Sequence, residues 1–249
     1  MKKSLLSVLI FLSSLYVTGQ PAFTAANCFQ MGDSATMGYA TATIDLSTFV
    51  PQTGGNCVWD FSSNSGGGPW LTWNNLAGHY LIRPGSASSY VVFQPFPLNE
   101  FSSNVPFGPD RMFAYSAAND TLYLKADVFG GNAMAVVNSQ PYLSFPMNYQ
   151  DSTSSQTAIY FMGVSLMGQS NRSWKYDGFG TVKLPYRNFS NVYRIHTWQR
   201  DTNFLLASTT ISEELIWFEQ STGVPILRFT RNGANINVYY ADTGGSTTG

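Results

Sequence analysis

The chain has 249 residues, of which 44% are hydrophobic, 15% aromatic and only 11% charged, and its net charge is −1. This hydrophobic content is sufficient to bury a core and is not typical of an intrinsically disordered chain. Lys and Arg form no cluster that could neutralise successive phosphates, which argues against nucleic-acid binding. Ser, Thr, Asn and Gly supply most of the polar surface, and this composition favours an exported β protein over a cytosolic enzyme.

Residues 1–19 have the pattern of a signal peptide. The cationic start "MKK" is followed by the apolar run "SLLSVLIFLSSLYV" and by small residues in "VTG". We expect cleavage before Gln20, with a second possible position after Ala26, and an exported protein resident in the periplasm or at the cell surface. The apolar run is too short for a membrane span, and "TAAN" before Cys28 lacks the small residue that precedes the cysteine of a lipid anchor.

Cys28 and Cys57 are the only cysteines. In an exported chain, an even pair is most simply one disulfide, which would stabilise the fold by roughly 2–4 kcal/mol. A metal site is the competing interpretation, but two cysteines without a nearby histidine or a second pair supply too few ligands. We therefore expect a disulfide and no metal ion.

Short segments rich in β-branched and aromatic residues recur through the rest of the chain, separated by Gly-, Pro- and Asn-rich turns. No helical pattern of ten or more residues is present after residue 19. Such recurrent short strands predict an all-β fold, an antiparallel β-sandwich of jelly-roll or related type. The segments are "GYATATIDL", "CVWDF", "WLTW", "HYLI", "SYVVF", "MFAYS", "TLYLKADVF", "AMAVV", "AIYFMGVSL", "GTVKLP", "NVYRIHTW", "ELIWFE", "PILRFT" and "INVYYAD".

We expect a single domain over residues 20–242, followed by the flexible tail 243–249, "TGGSTTG". A division into two lobes near 165–174 is the alternative. In "RFTRNGANINVYY", Asn232-Gly233 between two apolar runs predicts a β-hairpin.

Residues 174–198, "WKYDGFGTVKLPYRNFSNVYRIHTW", predict a second hairpin. Pro185 ends its first strand because proline cannot donate to the ladder, residues 186–191 form the turn, and residues 192–198 return. In this pairing Arg194 reaches Asp177, and we predict a structural ion pair between them.

Aromatic side chains give the strongest indication of a binding site. A flexible loop in "GGGPWLTWNN" delivers Trp70 and Trp73, which could stack on the apolar face of a sugar. Residues three apart on a strand face opposite ways, so only one of the two could be exposed. Trp59 and Trp217 lie in alternating apolar segments and are expected in the core.

Signals for catalysis are sparse. The histidines are His79 and His196, and the sequence contains no G-x-S-x-G motif. Glu213 and Glu214 are adjacent, so on a strand they point to opposite faces, and a charged, exposed strand face accounts for Glu213 and Glu219. A hydrolase would need a cleft in which two of Asp177, Glu213, Glu219 and His196 converge.

Four sequence blocks, in order, resemble a group of exported all-β proteins of Bacteroidota that is often linked to type IX secretion. The blocks are "TGGNCVWDFSS", "FPMNYQDSTSS", "YDGFGTVKLPYRNFSNVYRIHT" and "ELIWFEQSTGVPILRF". The resemblance implies an exported all-β protein and no catalytic residues. Comparable proteins often end in a sorting domain, and nothing like it ends this sequence, so periplasmic residence becomes as plausible as surface export.

Departures from that pattern and short modification motifs point to individual residues. Arg187 and His196 replace the usual residues of the third block, and we therefore regard both as candidate ligand-binding residues. The short Asp-Ser/Thr patterns that Bacteroidota use for O-glycosylation occur at Ser34, Thr121 and Ser152, which should then be exposed.

The sequence thus predicts an exported, non-catalytic β-sandwich protein without a cofactor. Its expected ligand is a partner protein or a surface component of the cell envelope. The alternatives are a carbohydrate-binding module that uses exposed aromatics and, third, an unrecognised hydrolase.

Overall fold

The computed structural model consists mostly of β-strands. It describes residues 19–28, 34–42, 50–62, 71–84, 99–104, 110–116, 119–129, 132–161, 165–184, 187–221, 225–233 and 235–241. A short 3₁₀ turn spans Ala25–Asn27, and these described residues contain no α-helix. Residues 1–18 of the expected signal peptide and the expected tail 243–249 lie outside them. The thirteen strands are β1 Ser34–Ala42, β2 Gly54–Asp60, β3 Leu71–Pro84, β4 Asn99–Asn104, β5 Asp110–Ser116, β6 Thr121–Phe129, β7 Asn132–Ser144, β8 Ser152–Phe161, β9 Ser165–Lys183, β10 Asn188–Asn203, β11 Ser208–Glu219, β12 Pro225–Asn232 and β13 Asn235–Ala241.

Hydrogen bonding closes the strands into a ring. β1 pairs antiparallel with β3, and each strand from β3 to β12 pairs antiparallel with the strand that follows it in the chain. β13 then pairs antiparallel with β1. Strand β2 is not part of this ring and pairs parallel with β9. It pairs with the second half of β9, along the edge whose first half pairs with β8. The expected all-β, antiparallel class is therefore confirmed.

Strand β9 shows which face of the ring is inside. From Gly168 to Tyr176 its even-numbered residues are buried, whereas the odd-numbered residues from Met167 to Lys175 are half-buried. Side chains alternate between the two faces of a strand, so the even-numbered side chains of this stretch define the inner face and the odd-numbered ones the outer face. Residues that pair directly across neighbouring strands share a face, so the strand register carries the same assignment to β8, β10 and β11.

Strand β2 lies unusually close to β9. A Cβ atom at Gly180 would stand 2.0 Å from the carbonyl oxygen of Cys57, and one at Gly178 would stand 2.7 Å from the indole of Trp59. Only glycine leaves room for the neighbouring backbone and ring at these two positions.

Aromatic packing holds residues 59–61 against the outer face. Trp59 and Trp217 are fully buried with ring centroids 5.9 Å apart, and Phe61 lies 5.5 Å from Phe229. The prediction that both tryptophans belong to the core is confirmed. Edge-on aromatic pairs of this kind add about 0.5–1.5 kcal/mol to the free energy gained by burial alone.

Both predicted hairpins form, with different limits from those expected. Lys183 pairs with Asn188, so the turn between β9 and β10 is shorter than residues 186–191, and β10 continues beyond Trp198. Residues 165–174, the alternative lobe boundary, form the first half of β9. In the other hairpin, β12 pairs with β13 up to Asn232 opposite Asn235, and Gly233 has a φ of 60°.

The expected disulfide between Cys28 and Cys57 is wrong, because both sulfurs are thiols. Cys28 follows the 3₁₀ turn and is buried in the core. Cys57 lies on β2, where its thiol donates to the carbonyl oxygens of Gly54 at 3.3 Å and Gln52 at 3.6 Å. The even number of cysteines indicated a pair, but the fold places Cys28 after the 3₁₀ turn and Cys57 on β2, too far apart to bond.

Thiol titration checks this correction. Denatured but unreduced protein should react with an aromatic disulfide reagent at both cysteines, and a Cys57→Ser variant at one. In the native protein, Cys28 should react more slowly than Cys57, because only Cys57 is partly exposed. A chain that shows thiols only after a reductant is added would restore the disulfide.

Candidate functional site

The outer face of β8–β11 is divided into a covered half and an open half. Trp59 and Phe61 lie over the covered half, each within 6.1 Å of the Trp217 ring. At the other end, Trp198 is 39% exposed and Ile211 62% exposed. A cluster of charged side chains lies where the two halves meet.

A buried ion pair between Arg194 and Asp177 stabilises the covered half. Arg194 Nε donates to Asp177 Oδ1 at 2.7 Å, and Arg194 Nη2 donates to Asp177 Oδ2 at 2.9 Å and to the carbonyl oxygen of Val50 at 3.2 Å. Its guanidinium carbon is 5.4 Å from the ring centroid of Trp59 and 6.0 Å from that of Trp217. The structure thus brings together the two residues for which the sequence predicted an ion pair, and it adds a contact to the segment that covers them.

A β-bulge places Asp177 between its partners. Arg194 is opposite Gly178 and Ile195 is opposite Tyr176, so Asp177 is an extra residue in the register of β9 on β10. A bulge re-aims the side chain of the added residue. The carboxylate of Asp177 therefore reaches the side chains on either side of the shift, those of Arg194 and His196.

His196 is held between two carboxylates. Its Nε2 is 2.7 Å from Glu213 Oε1, and its Nδ1 is 3.5 Å from Asp177 Oδ2. Burial alone would lower the pKa of His196, but the hydrogen bonds to Asp177 and Glu213 outweigh burial and raise it above its ordinary value. The imidazole is thereby favoured in its protonated form, with both nitrogens donating.

The two carboxylates keep their charge. Burial would raise the pKa of Asp177, but hydrogen bonds from His196 and Arg194 outweigh it and lower that pKa. The hydrogen bond from His196 is the main cause that lowers the pKa of Glu213, and Arg231, which donates to the other oxygen of Glu213, adds to it. Two anions therefore face two guanidinium groups and an imidazolium, as a buried cluster requires.

The acid–base groups of the cluster are covered by other side chains. The indole of Trp198 covers His196, with ring centroids 3.7 Å apart, and β2 covers Arg194. A general base must reach the proton that it takes, whereas this histidine is buried and already bonded on both nitrogens. Burial also raises the pKa of the nearby Cys57 thiol, which disfavours the nucleophilic thiolate.

The convergence that the hydrolase alternative required therefore occurs, but among the described residues it is covered and does not lie in an open cleft. Asp177, His196 and Glu213 meet beneath Trp198 and β2, while Glu219 lies at the end of β11, 3.8 Å from Arg187. We interpret the cluster as structural, because it joins β9, β10 and β11 to the segment that contains Val50.

The expectation that Glu213 and Glu219 lie on an exposed strand face is wrong, because both are buried, as is Glu214. Glu214 points to the inner face, where Arg172 Nη2 lies 3.4 Å away and Arg228 donates to its other oxygen. Cross-strand cations make these burials possible, and the sequence does not show which cation faces which glutamate.

The candidate ligand-binding residues do not form one site. Trp70 lies outside the described residues, and Trp73 lies on β3 opposite Ala40. Arg187 is at the β9–β10 turn, partly exposed, with its guanidinium 4.7 Å from the Phe189 ring centroid. His196 is buried in the middle of β10.

The three possible O-glycosylation positions differ in exposure. Ser152 is exposed at the start of β8, and Ser34 is the first residue of β1. Thr121 is buried, and its hydroxyl donates to the carbonyl oxygen of Asn119 at 2.9 Å. The expectation of an exposed Thr121 is therefore wrong.

The open half of the outer face forms a shallow groove that sequence reasoning missed. Its volume is about 410 Å³, and Trp198 and Ile211 stand at one side of it. A signal for it was present, since Trp198 and Arg200 share the parity of the outer face on β10. The outward-facing residues that line it are Ser154, Gln156, Asn171, Ser173, Trp198, Arg200 and Ile211.

The tip of the β10–β11 hairpin was also missed. Phe204, Leu205 and Leu206 are 50%, 71% and 74% exposed. The run "FLLA" within a polar stretch is its sequence signal, although it does not alternate as a strand does. We call residues 203–208 the apolar tip.

In the described part of the chain, no group of three or more His, Cys, Asp or Glu side chains could hold a metal ion, and none of its helices is long and apolar enough to cross a membrane. No protein family, curated protein or solved structure matches the chain.

Removing one partner of the buried pair should be costly. An Asp177→Ala variant leaves the Arg194 cation buried without its carboxylate, so we expect the free energy of unfolding to fall by about 3–5 kcal/mol. Asp60→Ala is the matched control, because Asp60 pairs with Lys183 at 3.3 Å on the surface and should contribute less than about 1 kcal/mol. Urea unfolding measures both, and equal losses would contradict the fastening role.

The cluster also predicts how stability depends on pH. Because the pKa of His196 is raised by folding, its contribution is complete below its ordinary value of 6.5 and is lost as the pH rises through the folded-state value. The lowered pKa values of Asp177 and Glu213 act oppositely, so their contributions are complete above 3.8 and 4.5 and are lost as the pH falls. The free energy of unfolding should therefore decline on the alkaline side of pH 6.5.

Comparison of wild type with a His196→Gln variant isolates the histidine. Urea unfolding between about pH 5 and about pH 9 should show a smaller alkaline decline in the variant, whatever its overall stability. Parallel pH profiles would show that His196 is not protonated in the folded state.

Proposed function

We propose that the chain is an exported, non-catalytic protein that binds a partner protein of the cell envelope through the apolar tip. The observation that carries this proposal is the exposure of Phe204, Leu205 and Leu206, three large apolar side chains in succession at the end of a long hairpin. Contiguous apolar groups of this kind on a folded surface mark interaction sites.

The tip is held in one conformation. Asn203 Oδ1 accepts hydrogen bonds from the backbone N–H groups of Leu205 at 2.9 Å and Leu206 at 3.0 Å. The N–H of Phe204 donates to the carbonyl oxygen of Met167 at 2.7 Å, which ties the tip to β9. A tip that is ordered before binding loses less conformational entropy on binding.

The charge around the tip favours a protein over a lipid surface. Arg200 and Asp201, the charged residues closest to it on β10, have opposite signs. Binding to anionic lipid headgroups usually depends on several Lys or Arg side chains near the apolar residues. A partner with an apolar pocket fits a short apolar tip without such a cluster.

Location, family and layer arrangement belong to the same proposal. The signal-peptide pattern supports export to the periplasm or the cell surface, and the four sequence blocks support membership of the Bacteroidota group. We also propose that the strand ring is flattened into two facing layers, as in a sandwich. A single buried cluster that draws on β6, β7 and β9–β13 supports this arrangement.

A double variant, Leu205→Ser with Leu206→Ser, tests the tip. Wild type, immobilised and exposed to detergent-solubilised envelope of its own cell, should retain one protein that the variant does not. That protein, once purified, should bind wild type saturably and the double variant on the order of tenfold more weakly. Val58→Ser, which removes an exposed apolar group on β2, is the control and should change nothing.

Other outcomes would contradict the proposal. If immobilised wild type and the immobilised double variant retain the same envelope protein equally, the tip is not the docking surface. Sedimentation with phosphatidylethanolamine–phosphatidylglycerol vesicles that the double variant abolishes, without a retained protein, would assign the tip to a membrane surface.

A further inference from the structure

The groove on the open half of the outer face has a rigid aromatic platform. One face of the Trp198 indole lies on the imidazole of His196, at 3.7 Å between centroids and an interplanar angle of 34°. His196 is itself fixed by its contacts to Glu213 and Asp177. The indole therefore keeps a flat, solvent-facing side whose orientation is set before any ligand arrives.

Neutral polar side chains lie beside this platform. In the strand register, Ser173 is directly opposite Trp198, and Ser154 is opposite Ser173, which makes one row across three strands. The adjacent outward row places Asn171 opposite Arg200. Neighbouring strands are about 4.8 Å apart and successive outward residues about 6.8 Å apart, so these groups surround the indole at short range.

The second row adds oriented amides and one cation. Gln156 is opposite Asn171, and Gln156 Nε2 donates to Gln169 Oε1 at 3.0 Å, which fixes its amide. Arg200 is exposed at the same level and supplies further donors. Amides and hydroxyls both donate and accept, as the hydroxyl groups of a sugar require.

This combination distinguishes a glycan from other ligands. A pyranose has an apolar face that stacks on an aromatic ring and a rim of hydroxyls that needs neutral donors and acceptors. A polyanion would require several cations, whereas Arg200 is the one cationic side chain among the outward-facing residues that line the described groove. A peptide that adds a strand would require a sheet edge, whereas β9 and β10, which carry Asn171, Ser173, Trp198 and Arg200, are paired on both sides along the groove.

We propose that this groove binds a glycan, with one pyranose ring stacked on Trp198 and its hydroxyls bonded by Asn171, Ser173 and Arg200. The platform is thus neither Trp70 nor Trp73. The proposal goes beyond the partner-binding function, because it uses a different surface and different chemistry.

Calorimetric titration of the whole chain with a panel of hexaoses tests the site. The panel contains β-1,4-linked glucose, N-acetylglucosamine, mannose and xylose, and α-1,4-linked glucose. We expect saturable binding of at least one hexaose, accompanied by a change in tryptophan fluorescence. Trp198→Ala should weaken binding on the order of tenfold, and Trp198→Phe by less, because phenylalanine retains a smaller platform.

Trp198 also covers His196, so a second variant guards against loss of folding. Asn171→Ala leaves the platform and the charge cluster in place and should weaken the same hexaose severalfold with the unfolding midpoint unchanged. The Leu205→Ser, Leu206→Ser double variant should bind the hexaose as wild type does, which separates this site from the apolar tip. Absence of saturable binding to the whole panel, or binding that both groove variants retain, would overturn the proposal.

Discussion

The buried pair of Arg194 and Asp177 is the interaction on which the rest of the outer face depends. It joins β9 to β10 through charge and reaches Val50 and Trp59 of the segment that lies above. Removing two charges from water is costly, and the cost is offset only where geometry and additional hydrogen bonds are good. The bulge at Asp177 supplies that geometry, since it lets one carboxylate serve both Arg194 and His196.

The same ion pair also marks the limit of the covered half. Residues 50–61 cover the outer face as far as the charge cluster. The open half begins beyond the cluster, at Trp198. His196 thus has a double structural role, as a member of the cluster and as the support for an indole. A residue that looks catalytic by its partners is buried here, and it supports the exposed indole of Trp198.

Much of the fold could be predicted from sequence because strand signals are local. Alternating apolar residues and turn residues gave the strands, the Asn232-Gly233 hairpin and the core tryptophans, and hairpin spacing gave the meeting of Asp177 with Arg194. The disulfide and the exposed glutamates failed for one shared reason. Both were inferred from residue type alone, whereas the position of Cys57 beside β9 and the burial of Glu213 depend on non-local partners.

By itself, the sequence determined the all-β class, the strands of its hairpins, the core aromatics and the ion pair within one hairpin. Each follows from side-chain alternation or from contacts between adjacent strands, which act over short sequence separations. Only the tertiary structure decided the closure of the ring, the parallel placement of β2 and the limit of the covered half. These depend on pairings between residues more than a hundred positions apart, such as Cys57 with Gly180, for which no local pattern exists.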